Sequence, residues 1–171
     1  MVVKNGRKLI MIILNNQKDV DDWRITNDSV MGGKSKGDFL FEQDHGVFTG
    51  YISLDNNGGF SSVFKPIESP RQNMDTIIVD IQGDGQKYQI RIVTNSDGYR
   101  LTYSHEFNTI NGQRERLKFH LSDCKATFRG RLINSAPVLK SDNIHEIGFL
   151  VTKATAGQFS LSVYSLMFLS E

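Results

Sequence analysis

Apolar residues in this chain recur at every second position, in short pieces, and almost never at the three- and four-residue spacing that a helix requires. Phe48, Gly50, Ile52 and Leu54 share one face of an extended segment, and Phe60, Ser62 and Phe64 share a face of the next. The pattern returns in Ile77/Val79/Ile81, Tyr88/Ile90/Ile92 and Tyr99/Leu101/Tyr103, and again in Leu117/Phe119/Leu121, Ile147/Phe149/Val151 and Phe159/Leu161/Val163. A period of two places alternate side chains on opposite faces of a strand. After Val163 the apolar face switches to Leu166 and Phe168, the mark of a bulge or bend. Turn chemistry separates the pieces. Asp97-Gly98 is the strongest two-residue hairpin signal, and Gly83-Asp84-Gly85, Asn111-Gly112 and Asn56-Asn57-Gly58-Gly59 mark further reversals. About ten short strands without a long helix predict an all-β fold, a two-sheet antiparallel β-sandwich of jelly-roll type.

A length of 171 residues with 39% hydrophobic and 23% charged side chains suits a single β-sandwich domain spanning 1–171 and able to bury a core. Twenty Lys+Arg oppose nineteen Asp+Glu, so no field of one sign draws in nucleic acid or an anionic membrane. Leu9–Leu14 is apolar, but its six residues are short of an export signal's core and far short of the roughly 20 residues of a membrane helix. It reads as a buried strand, and the chain as cytoplasmic, with no membrane insertion. Cys124 stands alone, which excludes a disulfide-stapled scaffold.

Candidate chemistry is sparse. Met31-Gly32-Gly33-Lys34-Ser35 looks like the end of a phosphate-binding loop, yet the required earlier glycine is replaced by Asp28, a carboxylate where phosphate would sit. His45, His105, His120 and His145 show no zinc spacing, and no metal or cofactor is expected. Asp19-Asp21-Asp22 and Asp55-Asn56-Asn57 offer oxygens for a structural calcium but lack the spacing of a calcium loop. No nucleophile elbow exists, and Asp123 beside Cys124 raises a thiol pKa rather than lowering it, so no enzyme is expected. In an extended Arg129-Gly130-Arg131 both guanidiniums project to one side. They either clamp a carboxylate or phosphate, or form internal salt bridges to Asp28 or Asp84.

Several blocks follow one another along the chain: Trp23; Asn27-Asp28-Ser29-Val30-Met31-Gly32-Gly33-x-Ser35; Phe48-x-Gly50; Asn56-Asn57-Gly58-Gly59-Phe60-x-Ser62-Val63; Gly83-Asp84-Gly85-x-x-Tyr88; Thr127-Phe128-Arg129-Gly130-Arg131; Ala156-Gly157-x-Phe159. From about Trp23 to Phe168 the chain resembles, as a bacterial member, the complex I intermediate-associated protein family, assembly factors of the respiratory NADH:ubiquinone oxidoreductase. The resemblance implies a galactose-binding-domain-like sandwich and a non-catalytic module that holds a protein partner such as a respiratory-complex assembly intermediate. The alternative is a lectin-like module for a carbohydrate or small polar ligand, with Tyr51, Tyr88, Tyr99 and Tyr103 as candidate stacking rings. The chain departs from the family at Arg114–Phe119, where a Trp and a Pro are usual, and at Cys124, where an aromatic is common.

The expected ligand- or partner-binding residues are Asn27, Asp28, Met31, Gly32, Gly33, Asn56, Asn57, Gly58, Gly59, Asp84, Tyr88, Arg129 and Arg131. The two glycine loops and the arginines are expected to meet at one rim, with Asp28 pairing one arginine. They then form either a polar patch for a ligand or a lock that holds the loops shut.

Overall fold

The structure, a computed structural model, describes residues 2–4, 7–28, 32–96, 98–128, 131–153 and 156–171. Fourteen strands are described. They are β1 (Val2–Lys4), β2 (Arg7–Ile13), β3 (Arg24–Asn27), β4 (Lys36–Glu42), β5 (His45–Ile52), β6 (Phe60–Pro66) and β7 (Thr76–Gln82). The second half adds β8 (Lys87–Ser96), β9 (Tyr99–Asn108), β10 (Arg114–His120), β11 (Lys125–Phe128), β12 (Arg131–Leu132), β13 (Ile144–Thr152) and β14 (Gly157–Leu169). All described pairings are antiparallel and fall into two seven-stranded sheets, as the alternation predicts. No described helix is long and apolar enough to cross a membrane.

In the first sheet β14 is the spine. One side of it pairs with β5 from Gly157 to Val163 and then with β2 from Ser165 to Phe168, while β7 runs along the other side and carries β10. The register against β7 slips between Val163 and Ser165, so the bulge anticipated from the face switch lies there. The second sheet runs β12-β11-β9-β8-β13-β6-β3. Its central hairpin joins Ser96 directly to Tyr99 with Gly98 at φ +79°; Asp97 lies outside the described residues.

Between the layers, Tyr88, Ile90 and Ile92 meet Phe149, Ile147 and Val151 of the second sheet and face Phe48, Ile77, Ile81, Phe159 and Phe168 of the first. Trp23 plugs one margin, stacked on Phe39 at 4.6 Å, with its indole N–H donating to Asp19 O. One expectation needs correction. The Leu9–Leu14 run lies mostly in β2, but from Ile10 to Leu14 only Leu14, just past the strand, is fully buried and Ile13 is exposed, because β2 sits at a sheet margin with only β1 beyond it. In β6 the face carrying Phe60, Ser62 and Phe64 turns outward, since Ser61 and Val63 fill the interior and Arg100 covers the Phe64 ring from outside.

Candidate functional site

The glycine loops do meet, and a buried carboxylate is the reason. Asp28 follows β3 and is fully buried. Its Oδ1 accepts from Ser35 N (2.9 Å), and its Oδ2 accepts from Ser35 Oγ (2.6 Å), Gly59 N (2.5 Å) and Phe60 N (3.3 Å). Close approach demands glycine on both sides. A Cβ at Gly33 would lie 2.3 Å from Asp28 Cγ, and one at Gly58 would lie 2.5 Å from Asp28 Oδ2. Asn56 Nδ2 donates to Gly32 O, and Ser61 Oγ donates to Asn27 Oδ1, completing the clasp; Asn57 takes a left-handed φ of +60° in the second loop. Burial pushes the Asp28 carboxyl up, but the Ser35, Gly59 and Phe60 donors outweigh it and hold the pKa below the usual value. The segment that resembled a phosphate loop thus cradles an anion from its own chain. Among the described residues no arginine pairs with Asp28, whose oxygens accept from backbone and Ser35 donors.

Asp84 plays a similar part at the β7–β8 turn. It accepts from Tyr88 OH (2.9 Å), Gln86 N and Ser160 N (2.8 Å), tying the turn to β14. Tyr88 and Tyr103 are core residues, so of the four candidate stacking rings only Tyr51 and Tyr99 are exposed, on different sheets. Burial raises the Tyr88 phenol pKa, and the adjacent Asp84 charge adds to this. Arg131 is exposed on β12, at one edge of the second sheet, while Asp28 follows β3 at the opposite edge. Six interstrand steps of about 4.8 Å separate these edges along the sheet, on the order of 29 Å, so Arg131 does not join the glycine loops. Met31 and Arg129 lie outside the described residues. The carboxylates of Asp19, Asp21 and Asp22 each make contacts within the chain. Asp19 caps the turn at Gln17–Asp19 by accepting from Asn15 N and Asn16 N, Asp21 accepts from Gln17 Nε2, and Asp22 pairs with Lys65. Cys124 is buried and its thiol is pushed up to about 11, by desolvation first and the Asp123 charge second.

The outer faces of the two sheets differ. On the first, Arg114 grips Asp80 through two bonds of 2.9 and 3.0 Å and lies 3.6 Å over the Tyr164 ring, which His45 stacks against from 4.5 Å. These charges satisfy one another. On the second, a groove of about 580 Å³ is lined by Gln89, Arg91, Ser104, Glu106, Lys125 and Thr127 among others. Its floor is Arg91, half-buried, whose Nη1 donates to Gln89 Oε1 (2.8 Å) and whose buried Nε has no acceptor. Sequence reasoning missed this arginine. The signal was one cation alternating with Ile90 and Ile92, which reads as an ordinary solvated face until the neighbouring strands are known.

The two antiparallel sheets define a β-sandwich of jelly-roll type. Its overall shape is similar to the family 11 carbohydrate-binding module from Clostridium thermocellum in complex with a β-1,3-1,4-mixed-linked tetrasaccharide, with TM-score 0.70 and 13% identity over 94% of this chain and 95% of that one. The family 11 module of the cellulosomal cellulase Lic26A-Cel5E of the same organism gives 0.70 and 13% over 99% and 97%. A family 29 module from Piromyces equi gives 0.53 and 10% over 97% and 92%. At these identities the likeness concerns the fold. The chain itself belongs to the complex I intermediate-associated protein 30 family, whose sequence pattern matches residues 12–163.

Proposed function

We propose that this chain is a non-catalytic binding module of its family, acting in the cytoplasm and holding a protein partner on the outer face of the second sheet, as an assembly factor holds an incomplete complex. The observation that carries this reading is the groove's polar, charged lining around a guanidinium that makes no salt bridge among the described residues, set against a first sheet on which Arg114 and Asp80 bond each other. Buried polar groups left without partners in one molecule are satisfied when another supplies them. The glycine loops around Asp28 belong to the scaffold and hold the β3 edge in shape.

The fold likeness favours a second reading, a carbohydrate ligand. Sugar faces are commonly met by exposed aromatic rings, and the groove's lining contains no Phe, Tyr or Trp. The two readings separate in one experiment. A photo-crosslinking residue is placed at Thr127 in the groove and, as control, at Thr49 on the first sheet, in cells that express the native protein. The expected result is a discrete protein adduct from position 127 and none from 49. An adduct from 49 alone, or none from either with a thermal shift induced by mixed-linked glucan oligosaccharides, overturns the protein-partner reading.

A further inference from the structure

Outward-facing residues of the second sheet fall into rows set by register. One row reads Arg24, Phe64, Gly148, Arg91, Ser104 and Lys125 across β3, β6, β13, β8, β9 and β11. Gly148 presents no side chain beside Arg91, and a Cβ there would lie 2.0 Å from Val63 O, so that flank stays open. On the other flank Ser104 separates Arg91 from Lys125, whose backbones are two strand steps, about 10 Å, apart. Arg100, the other arginine near Arg91, is taken by Glu146 through bonds of 3.2 and 3.0 Å. Burial and then the Arg100 charge push the Arg91 pKa down. A guanidinium nevertheless keeps its proton in proteins. Among the described residues no acid reaches its buried Nε, so an anion from outside the chain would offset its desolvation.

We propose that Arg91, Ser104 and Lys125 form a carboxylate-binding site, and that the partner held on this face inserts an acidic side chain between the two cations. The inference rests on the protein-partner reading and adds what that partner presents. A planar carboxylate matches the fork of a guanidinium, and the serine hydroxyl between the cations supplies a further donor. Glu106 and Asp123 line the same groove and repel a dianion such as phosphate more strongly than a single carboxylate. A short acidic segment satisfies both conditions.

The test titrates hexaglutamate, hexaglutamine, inorganic phosphate and oligogalacturonate into the nitrogen-15-labelled full chain at low salt, following the Arg91 Nε–Hε resonance. Hexaglutamate is expected to shift it and hexaglutamine to leave it in place. Arg91→Gln should weaken hexaglutamate binding about tenfold or more, and Lys125→Gln about two- to fivefold. Lys36→Gln, on the first sheet, should change nothing. Arg91→Met tests for a purely structural role by thermal unfolding. Removing a half-buried cation without an acid should hold or raise Tm. A further variant at an exposed position is Lys125→Glu, which should abolish binding without touching the fold. No response to hexaglutamate at millimolar concentration, or equal binding by Arg91→Gln, overturns the carboxylate site while a crosslink at position 127 still stands. Tighter binding of phosphate or oligogalacturonate at Arg91 overturns the acidic polypeptide as occupant. A crosslink confined to position 49 overturns the partner reading by itself.

Discussion

At the scale of single residues, Asp28 shows how a carboxylate becomes structural. Four donors from two loops converge on it at 2.5 to 3.3 Å, so its charged form belongs to the native state. Its folded pKa lies below the ordinary carboxylate value, and the native chain therefore binds its proton less readily than the unfolded chain does. That contribution to stability is complete above the unfolded value near 3.9 and is lost as pH falls through the depressed folded value. Asp28→Asn presents an amide N–H₂ to backbone N–H groups and should cost about 2–5 kcal/mol in urea unfolding at neutral pH. It should also remove part of the wild-type loss of stability below about pH 4. Unchanged stability in Asp28→Asn at neutral pH would show that the clasp does not depend on the charge. The sequence placed this carboxylate where a phosphate-binding loop would hold phosphate, which was enough to argue against phosphate there. It did not say that backbone rather than arginine would receive it, because donors from Gly59 and Phe60 reach Asp28 only through folding.

At the scale of strands, alternation and turn residues made the elements legible, including the slip near Tyr164. Strand order was not legible, and the site errors follow from that. Arg131 and Asp28 stand on opposite edges of one sheet although each lies in a distinctive motif, and Arg91 gains its meaning only from the strands on either side. Register also explains the Phe48-x-Gly50 block. Gly50 faces Gly37 across β4 and β5, and a Cβ on it would lie 2.0 Å from Lys36 O. A backbone carbonyl cannot swing aside as a side-chain tip can. Gly50→Ala should therefore cost about 1–3 kcal/mol, read as a lower denaturation midpoint with an unchanged slope. An unshifted midpoint would mean that the two strands separate at no cost.

For the whole molecule, the long-range pairings set the expected folding behaviour. β2 meets β14 with Ile13 opposite Ser165, and β7 and β5 find the same strand from more than seventy residues away. Topologies dominated by such pairings fold on the order of milliseconds to seconds, and stopped-flow refolding should place this chain there. Microsecond refolding would contradict the strand order. Because β2, β5 and β7 all share β14 as their neighbour, the chain emerging from a ribosome carries three strands that stay without their common partner until residue 157 and its successors appear. During that interval their unbonded edges are open to foreign strands. Shelter for those edges during synthesis is therefore a need built into the order of the strands.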